Sequence, residues 1–200
     1  AHPLVHAFLR KVEEQEVLPH VHPVPDFTPA EYLELIDERF SNPAVKDTTR
    51  RLCLDGSNRQ PKFIMPSILD GLKSGASVTG LALESALWCR YCAGHFEDGS
   101  EIAPNDPDWD RLVALSAEAK TRPAAWLEQR TVYGDLATNP HFAALFSGWL
   151  DRLWADELDM PTAAEVDAPG LWLARIGLDP DLPGGADLEI PDDLSSLDDL

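Results

Sequence analysis

Apolar side chains recur along this chain at three- and four-residue intervals, the spacing that lines one face of a helix. Residues 2–18 read as a helix already under way. Thr28 stands before Pro29, and Glu31 lies three residues after Thr28, which predicts a capping box with proline at the first helical position. Tyr32, Leu33, Leu35, Ile36 and Phe40 carry that helix onward. Asn42 is placed to cap the next helix, opened by Pro43, with Val45, Thr49 and Leu52 on one face; Asp55-Gly56-Ser57-Asn58 is a turn signal that stops it. Pro61 opens a helix bearing Phe63, Ile64, Met65, Ile68, Leu69 and Leu72. Pro66 falls inside that pattern and predicts a kink, while Gly75 is a stop.

Ser77 is placed to cap a long helix through Leu81, Leu83, Ala86, Leu87, Trp88 and Tyr91, apolar round most of its circumference and so expected at the centre. A proline-rich, acidic connector covers about 97–107. Helices are predicted over 108–120 and 123–128, then from Asn139-Pro140 through Phe142, Leu145, Phe146, Trp149, Leu150 and Leu153, and a weaker one over 168–176. No segment alternates with period two, and no repeat or heptad run is present. The fold class expected is all-α: a multi-helix, bundle-like single domain over 1–177.

Composition changes this picture at the C-terminal end. The chain of 200 residues carries a net charge of −19, from 35 acidic and 16 basic residues. After Arg175 there is no Lys or Arg, and the stretch mixes aspartates with Pro180, Pro183, Gly184, Gly185 and Pro191. Such a segment buries too little apolar area to offset its ordering entropy, so 178–200 is expected to be a flexible acidic tail. The net charge repels phosphate backbones and anionic lipid, arguing against nucleic-acid and membrane partners. No apolar run is long enough to span a bilayer, and no signal peptide pattern opens the chain. Three cysteines make no disulfide framework and fit a reducing, cytoplasmic setting. The chain begins at Ala1 inside an apparent helix, so a longer parent is expected.

A denser pattern lies between residues 31 and 75: Tyr32, then Glu38-Arg39-Phe40-Ser41-Asn42-Pro43, Lys46-Asp47-Thr48, Arg51-Leu52-Cys53, Asp55-Gly56-Ser57, and Arg59-Gln60-Pro61-Lys62-Phe63 before Pro66. In order and spacing this resembles the C-terminal domain of the mannitol dehydrogenase family, which includes mannitol 2-dehydrogenases and fructuronate and tagaturonate reductases. The likeness continues more loosely to about 155, through Ala86-Leu87-Trp88-Cys89-Arg90-Tyr91 and Asn139-Pro140-His141-Phe142.

The resemblance implies a two-domain polyol oxidoreductase. Its N-terminal Rossmann domain would hold NAD or NADP, and its helical half would close over a polyol or ketose, without metal. It further implies a Lys base in a Lys-x4-Asn-x2-His motif. None of Lys11, Lys46, Lys62, Lys73 and Lys120 heads that motif, and no Gly-x-Gly-x-x-Gly follows a strand pattern. With neither base nor cofactor loop, the chain alone is expected to be inactive and to act with its own N-terminal Rossmann domain.

The resemblance places Arg51 against substrate hydroxyls, and a guanidinium does offer several fixed donors to a polyol. An Arg holding Asp47 or Asp55 for structure is the alternative. Arg59 matches a basic pocket position where the family often has Lys. Lys62 reads as a rim charge, and Asn42 and Asp47 as a cap and a local hydrogen-bond partner. Cys89, Cys92 and His95 share a helical side and can ligate zinc, but a fourth ligand is missing, so no metal is expected. His20 and His22 read as loop residues, and Phe142, Phe146, Trp149 and Trp154 as core. A non-catalytic interaction domain whose acidic tail meets a basic partner, and a metal-binding helical protein, are the competing readings.

Overall fold

The computed structural model describes residues 3–23, 25–42, 44–45, 48–155 and 163–178, and the expected acidic tail lies almost wholly outside them. Regular structure among these residues is entirely helical, apart from isolated bridge residues, His95 paired with Glu101 among them. None of these helices is long and apolar enough to cross a membrane.

Helix α1 (Pro3–Val12) buries Leu4, Phe8 and Val12, one residue per turn on a single stripe. The chain then widens into a π-helical turn over Glu13–Val17 and tightens into a 3-10 turn over Leu18–His20. The widened turn brings Glu16 into the interior. Helix α2 (Pro29–Ser41) has the expected capping box: the Glu31 N–H donates to Thr28 Oγ1 at 3.2 Å and the Thr28 N–H to Glu31 Oε2 at 2.8 Å. It buries only Leu33 and leaves Tyr32, Leu35 and Phe40 exposed. Polar ties help hold it to α1, with His6 Nε2 2.6 Å from Asp37 and Arg10 donating to Glu34 at 2.7 Å.

The next helix is shorter than its sequence pattern predicts. Asn42 spends its side chain locally, accepting from the Ala44 N–H at 2.9 Å, and the helix forms only as α3 (Thr49–Leu52). Asp55, in a left-handed conformation, precedes the single turn α4 (Gly56–Arg59). A second π-helical turn over Gln60–Ile64 then leads into α5 (Met65–Ser74). Pro66 therefore falls in the first turn of α5, where a missing N–H costs little. Gly75 ends α5 with φ +74°.

Helix α6 (Thr79–Tyr91) is central, as its all-round apolar surface requires. It packs chiefly against α10 (Pro140–Trp154), which follows α7 (Trp109–Ala119) and the single turns α8 (Ala124–Leu127) and α9 (Arg130–Tyr133). The short α11 (Ala163–Asp167) and α12 (Pro169–Ile176) return against α1. Asn139 caps α10 through the Phe142 N–H at 2.9 Å, and Trp149 Nε1 donates to the Thr79 carbonyl at 3.1 Å, pinning α10 to the start of α6. Phe142, Phe146 and Trp149 are core residues. Trp154 is half-buried between the Arg90 guanidinium and the Lys120 ammonium, 4.8 and 5.0 Å from its ring centre.

The cap of α6 differs from the one its sequence suggests. Ser77 Oγ does accept from the Thr79 N–H, at 3.3 Å, but the deeper amides belong to Glu16. Glu16 Oε1 accepts from the Gly80 N–H and Oε2 from the Leu81 N–H, each at 2.8 Å. A carboxylate on a helix N-terminus meets both orphan donors and the positive end of the dipole. Burial pushes the Glu16 carboxyl up, while these N–H donors pull it back.

Candidate functional site

The residues singled out by the motif lie on α3, α4 and the π-helical turn. Arg51 and Arg59 are both exposed. The Arg51 N–H donates to Thr48 Oγ1 at 3.2 Å, seating Arg51 in the first turn of α3. Arg59 lies back along the chain, its Nη1 donating to the Leu52 carbonyl at 3.2 Å. That bond satisfies a helix-end carbonyl with a cation, a favourable pairing with the helix dipole. It also brings the Arg59 guanidinium to the residue next to Arg51. Lys62 is exposed on the turn, and Asp47 lies outside the described residues.

What holds this segment is the connector at 97–107. Arg50, between the motif positions, donates to the carbonyls of Ala103 and Pro104, both at 3.0 Å. The Asp55 N–H donates to the Asn105 carbonyl at 3.0 Å. Asn105 Nδ2 donates to the Cys53 carbonyl at 3.1 Å and to the Tyr91 hydroxyl at 2.6 Å. Asp106 accepts from the Ser57 hydroxyl at 2.7 Å and the Ser57 N–H at 2.8 Å. Asn105 and Asp106 had no role in the sequence reading; the Asn-Asp-Pro-Asp run at 105–108 is the signal that could have marked a side-chain-to-backbone clamp.

The other face of the segment rests on α6. A Cβ added to Gly56 would lie 2.5 Å from Trp88 Nε1, so only glycine allows this approach. Trp88 in turn meets Trp126 edge-on, with ring centres 4.9 Å apart. The arginine-bearing turns are thus clamped between α6 and the connector, with both guanidinium-bearing side chains outside.

Cys89, Cys92 and His95 do not converge. Both cysteines are buried, His95 is exposed with Nδ1 3.0 Å from the Ala93 carbonyl, and no metal-binding cluster of three occurs among the described residues. Burial pushes the Cys89 thiol up to about 12. His20 is half-buried rather than a solvent-exposed loop residue, because it closes a 3-10 turn, whereas His22 is exposed.

Comparison with known proteins matches residues 1–154 to the mannitol dehydrogenase C-terminal domain. The mannitol 2-dehydrogenase of Cereibacter sphaeroides is 57% identical over 156 residues, covering 78% of this chain and 33% of that protein. That of Phaeosphaeria nodorum is 34% identical over 157 residues, covering 78% and 27%. Among solved structures, the Pseudomonas fluorescens mannitol 2-dehydrogenase, in ternary complex with NAD and D-mannitol, matches with a TM-score of 0.71 and 27% identity, covering 80% of this chain and 34% of that one. The chain therefore spans about a third of the length of these relatives.

Proposed function

The chain belongs to the mannitol dehydrogenase family, matching its C-terminal domain, and from that premise we propose that it forms the substrate-side domain of an NAD-dependent polyol dehydrogenase of the mannitol 2-dehydrogenase kind. The reaction takes a sugar alcohol to a ketose by hydride transfer. Arg51 and Arg59 bind the polyol in this reading. The observation that carries it is the bond from Arg59 to the Leu52 carbonyl, which folds Arg59 back to the residue beside Arg51, both arginines being exposed on a segment hydrogen-bonded to the connector.

A guanidinium is never deprotonated in a protein, so these residues hold and orient hydroxyls and cannot take their proton. In this reading the base is the Lys of the Lys-x4-Asn-x2-His motif, which the family carries on a helix early in the C-terminal half and which none of the five lysines here heads. The described residues contain neither a strand nor a glycine-rich turn to cradle a pyrophosphate, so they do not fit a dinucleotide. NAD is taken as the cofactor on the strength of the Pseudomonas relative; NADP is its alternative. A cytoplasmic setting, supported by three free cysteines, and the partition into a helical domain over 1–177 and a tail over 178–200 belong to the same reading.

The test is twofold. The coding sequence upstream of Ala1 is expected to contain a dinucleotide-binding glycine motif and Lys-x4-Asn-x2-His; their absence from an intact frame would overturn the reading. In the intact enzyme, Arg51→Ala and Arg59→Ala are each expected to lower kcat/KM for the polyol by about 10- to 100-fold, the loss of a charged hydrogen bond of about 1.5–3 kcal/mol. Turnover unchanged in both variants would remove them from the site.

A further inference from the structure

Gln60, immediately after Arg59, is buried, and its Nε2 donates to Glu84 Oε1 at 2.8 Å. The remaining polar atoms of this pair, Gln60 Oε1 and Glu84 Oε2, are also buried, and among the described residues neither has a hydrogen-bond partner. With Glu84 ionised, both are acceptors, and two lone acceptors are left dry beside a single bond, a costly arrangement. One proton changes the count. A carboxylic acid and a primary carboxamide are complementary at two points, N–H to C=O and O–H to C=O. A proton on Oε2 supplies the missing donor, and Gln60 Oε1 is the acceptor it lacks.

We propose that Glu84 stands in the folded chain as a neutral carboxylic acid, paired at both points with the Gln60 carboxamide, and that this pair positions the turn that carries Arg59. Gln60 opens the π-helical turn Gln60–Ile64, in which Pro61 supplies no N–H, as does Pro66 just beyond, so the backbone there has fewer bonds of its own. The side-chain pair ties its first residue to the central helix. Any consequence for polyol binding rests on the proposed function; the pair itself does not.

The surroundings favour the neutral form. Burial pushes the Glu84 carboxyl up to about 7, with the Gln60 amide pulling it back. Tyr133 of α9 is a titratable group coupled to Glu84, and burial holds its phenol neutral. Of the elements packed on α6, the π-helical turn after α1 brings Glu16 to Gly80 and Leu81, α7 brings Ser116 to the Cys89 carbonyl, and α10 brings Trp149 to the Thr79 carbonyl. Among the described residues none of them sets a charge against Glu84.

A carboxyl raised in the folded state contributes stability that is complete below the unfolded value of 4.5 and is lost as pH rises through about 7. The experiment uses the 200-residue chain and Glu84→Gln, whose amide keeps a two-point pair but cannot titrate. Relative to this variant, the folding equilibrium constant of the wild type from urea unfolding is expected to fall about tenfold per pH unit between 4.5 and 7 and to be flat outside that window. Amide exchange of residues 60–64, corrected for intrinsic rates, is expected to lose protection over the upper part of the same window in the wild type and not in Glu84→Gln. A stability ratio independent of pH would overturn the neutral acid; unchanged protection at 60–64 would overturn the positioning role. Should Glu84→Gln fail to fold, carboxyl carbon NMR of the labelled wild type reads the proton directly, and the absence of a glutamate titrating near 7 overturns the proposal. Every readout is taken without substrate, so its failure is distinct from failure of the polyol reading.

Discussion

Gly80 and Glu16 meet where no side chain could stand. The Gly80 N–H donates to Glu16 Oε1 at 2.8 Å, and a Cβ on Gly80 would lie 3.3 Å from that oxygen and 2.6 Å from Cγ2 of Val12. The π-helical turn before Leu18 aims the carboxylate, and the glycine admits it. Gly80→Ala is expected to destabilise the chain by about 1–3 kcal/mol through overpacking, although alanine favours helix. Glu16→Ala is expected to cost about 1–3 kcal/mol for each of the two amides left dry. Urea midpoints at neutral pH check both, and a stabilised Gly80→Ala would refute the close approach.

The clamp on the arginine-bearing segment gives a second prediction. Asp106 takes both the hydroxyl and the N–H of Ser57. Asp106→Ala is expected to cost about 1–3 kcal/mol, because the half-buried Ser57 N–H loses its acceptor. Hydrogen exchange should localise the effect to residues 51–59 and to the start of α7, where the Asp108 N–H also donates to Asp106 at 2.9 Å. Ser57→Ala removes only the hydroxyl bond and should cost about 1 kcal/mol.

Tyr133 places its hydroxyl 2.8 Å from Ser85 Oγ and accepts from Trp126 Nε1 at 2.7 Å, all in the core. Tyr133→Phe is expected to cost about 1–3 kcal/mol, by stranding both partners. Ser85→Ala in the same chain removes one stranded group, so the double variant should lose less than the sum of the singles. A double-mutant cycle by thermal or urea unfolding decides it, and strict additivity would show the hydroxyls to be uncoupled.

The cysteines should separate by reactivity. Cys53 is exposed, whereas Cys89 and Cys92 are buried and burial pushes both thiols upward. A thiol-modifying reagent is expected to label one cysteine in the native chain and three in denaturant. Peptide mapping should find the native label on Cys53.

The helix boundaries were legible where their chemistry is local. Thr28 and Glu31 are three residues apart, Asn139 reaches the Phe142 amide, and Gly75 supplies its own left-handed turn, so each can be read within one turn of chain. The all-round apolar surface of α6 likewise announced its central place. Its cap, the clamp at Asn105 and Asp106, and the pairing of Gln60 with Glu84 were not legible. Their partners lie 64, 52, 49 and 24 residues apart in sequence. Glu16 continues the four-residue stripe of Leu4, Phe8 and Val12, but the amides that its carboxylate caps lie on a helix 64 residues further on. Tyr32, Leu35 and Phe40 show the converse, apolar at helical spacing yet exposed.

The linear order of residues was therefore enough for the helical class, most helix starts and the family pattern around Arg51 and Arg59, because capping and periodicity act over three or four residues. Packing chose which carboxylates are buried, which arginine braces the connector and which two stay outside. Desolvation and hydrogen-bond partnership depend on what neighbours a group in space, and in this chain those neighbours come from other helices.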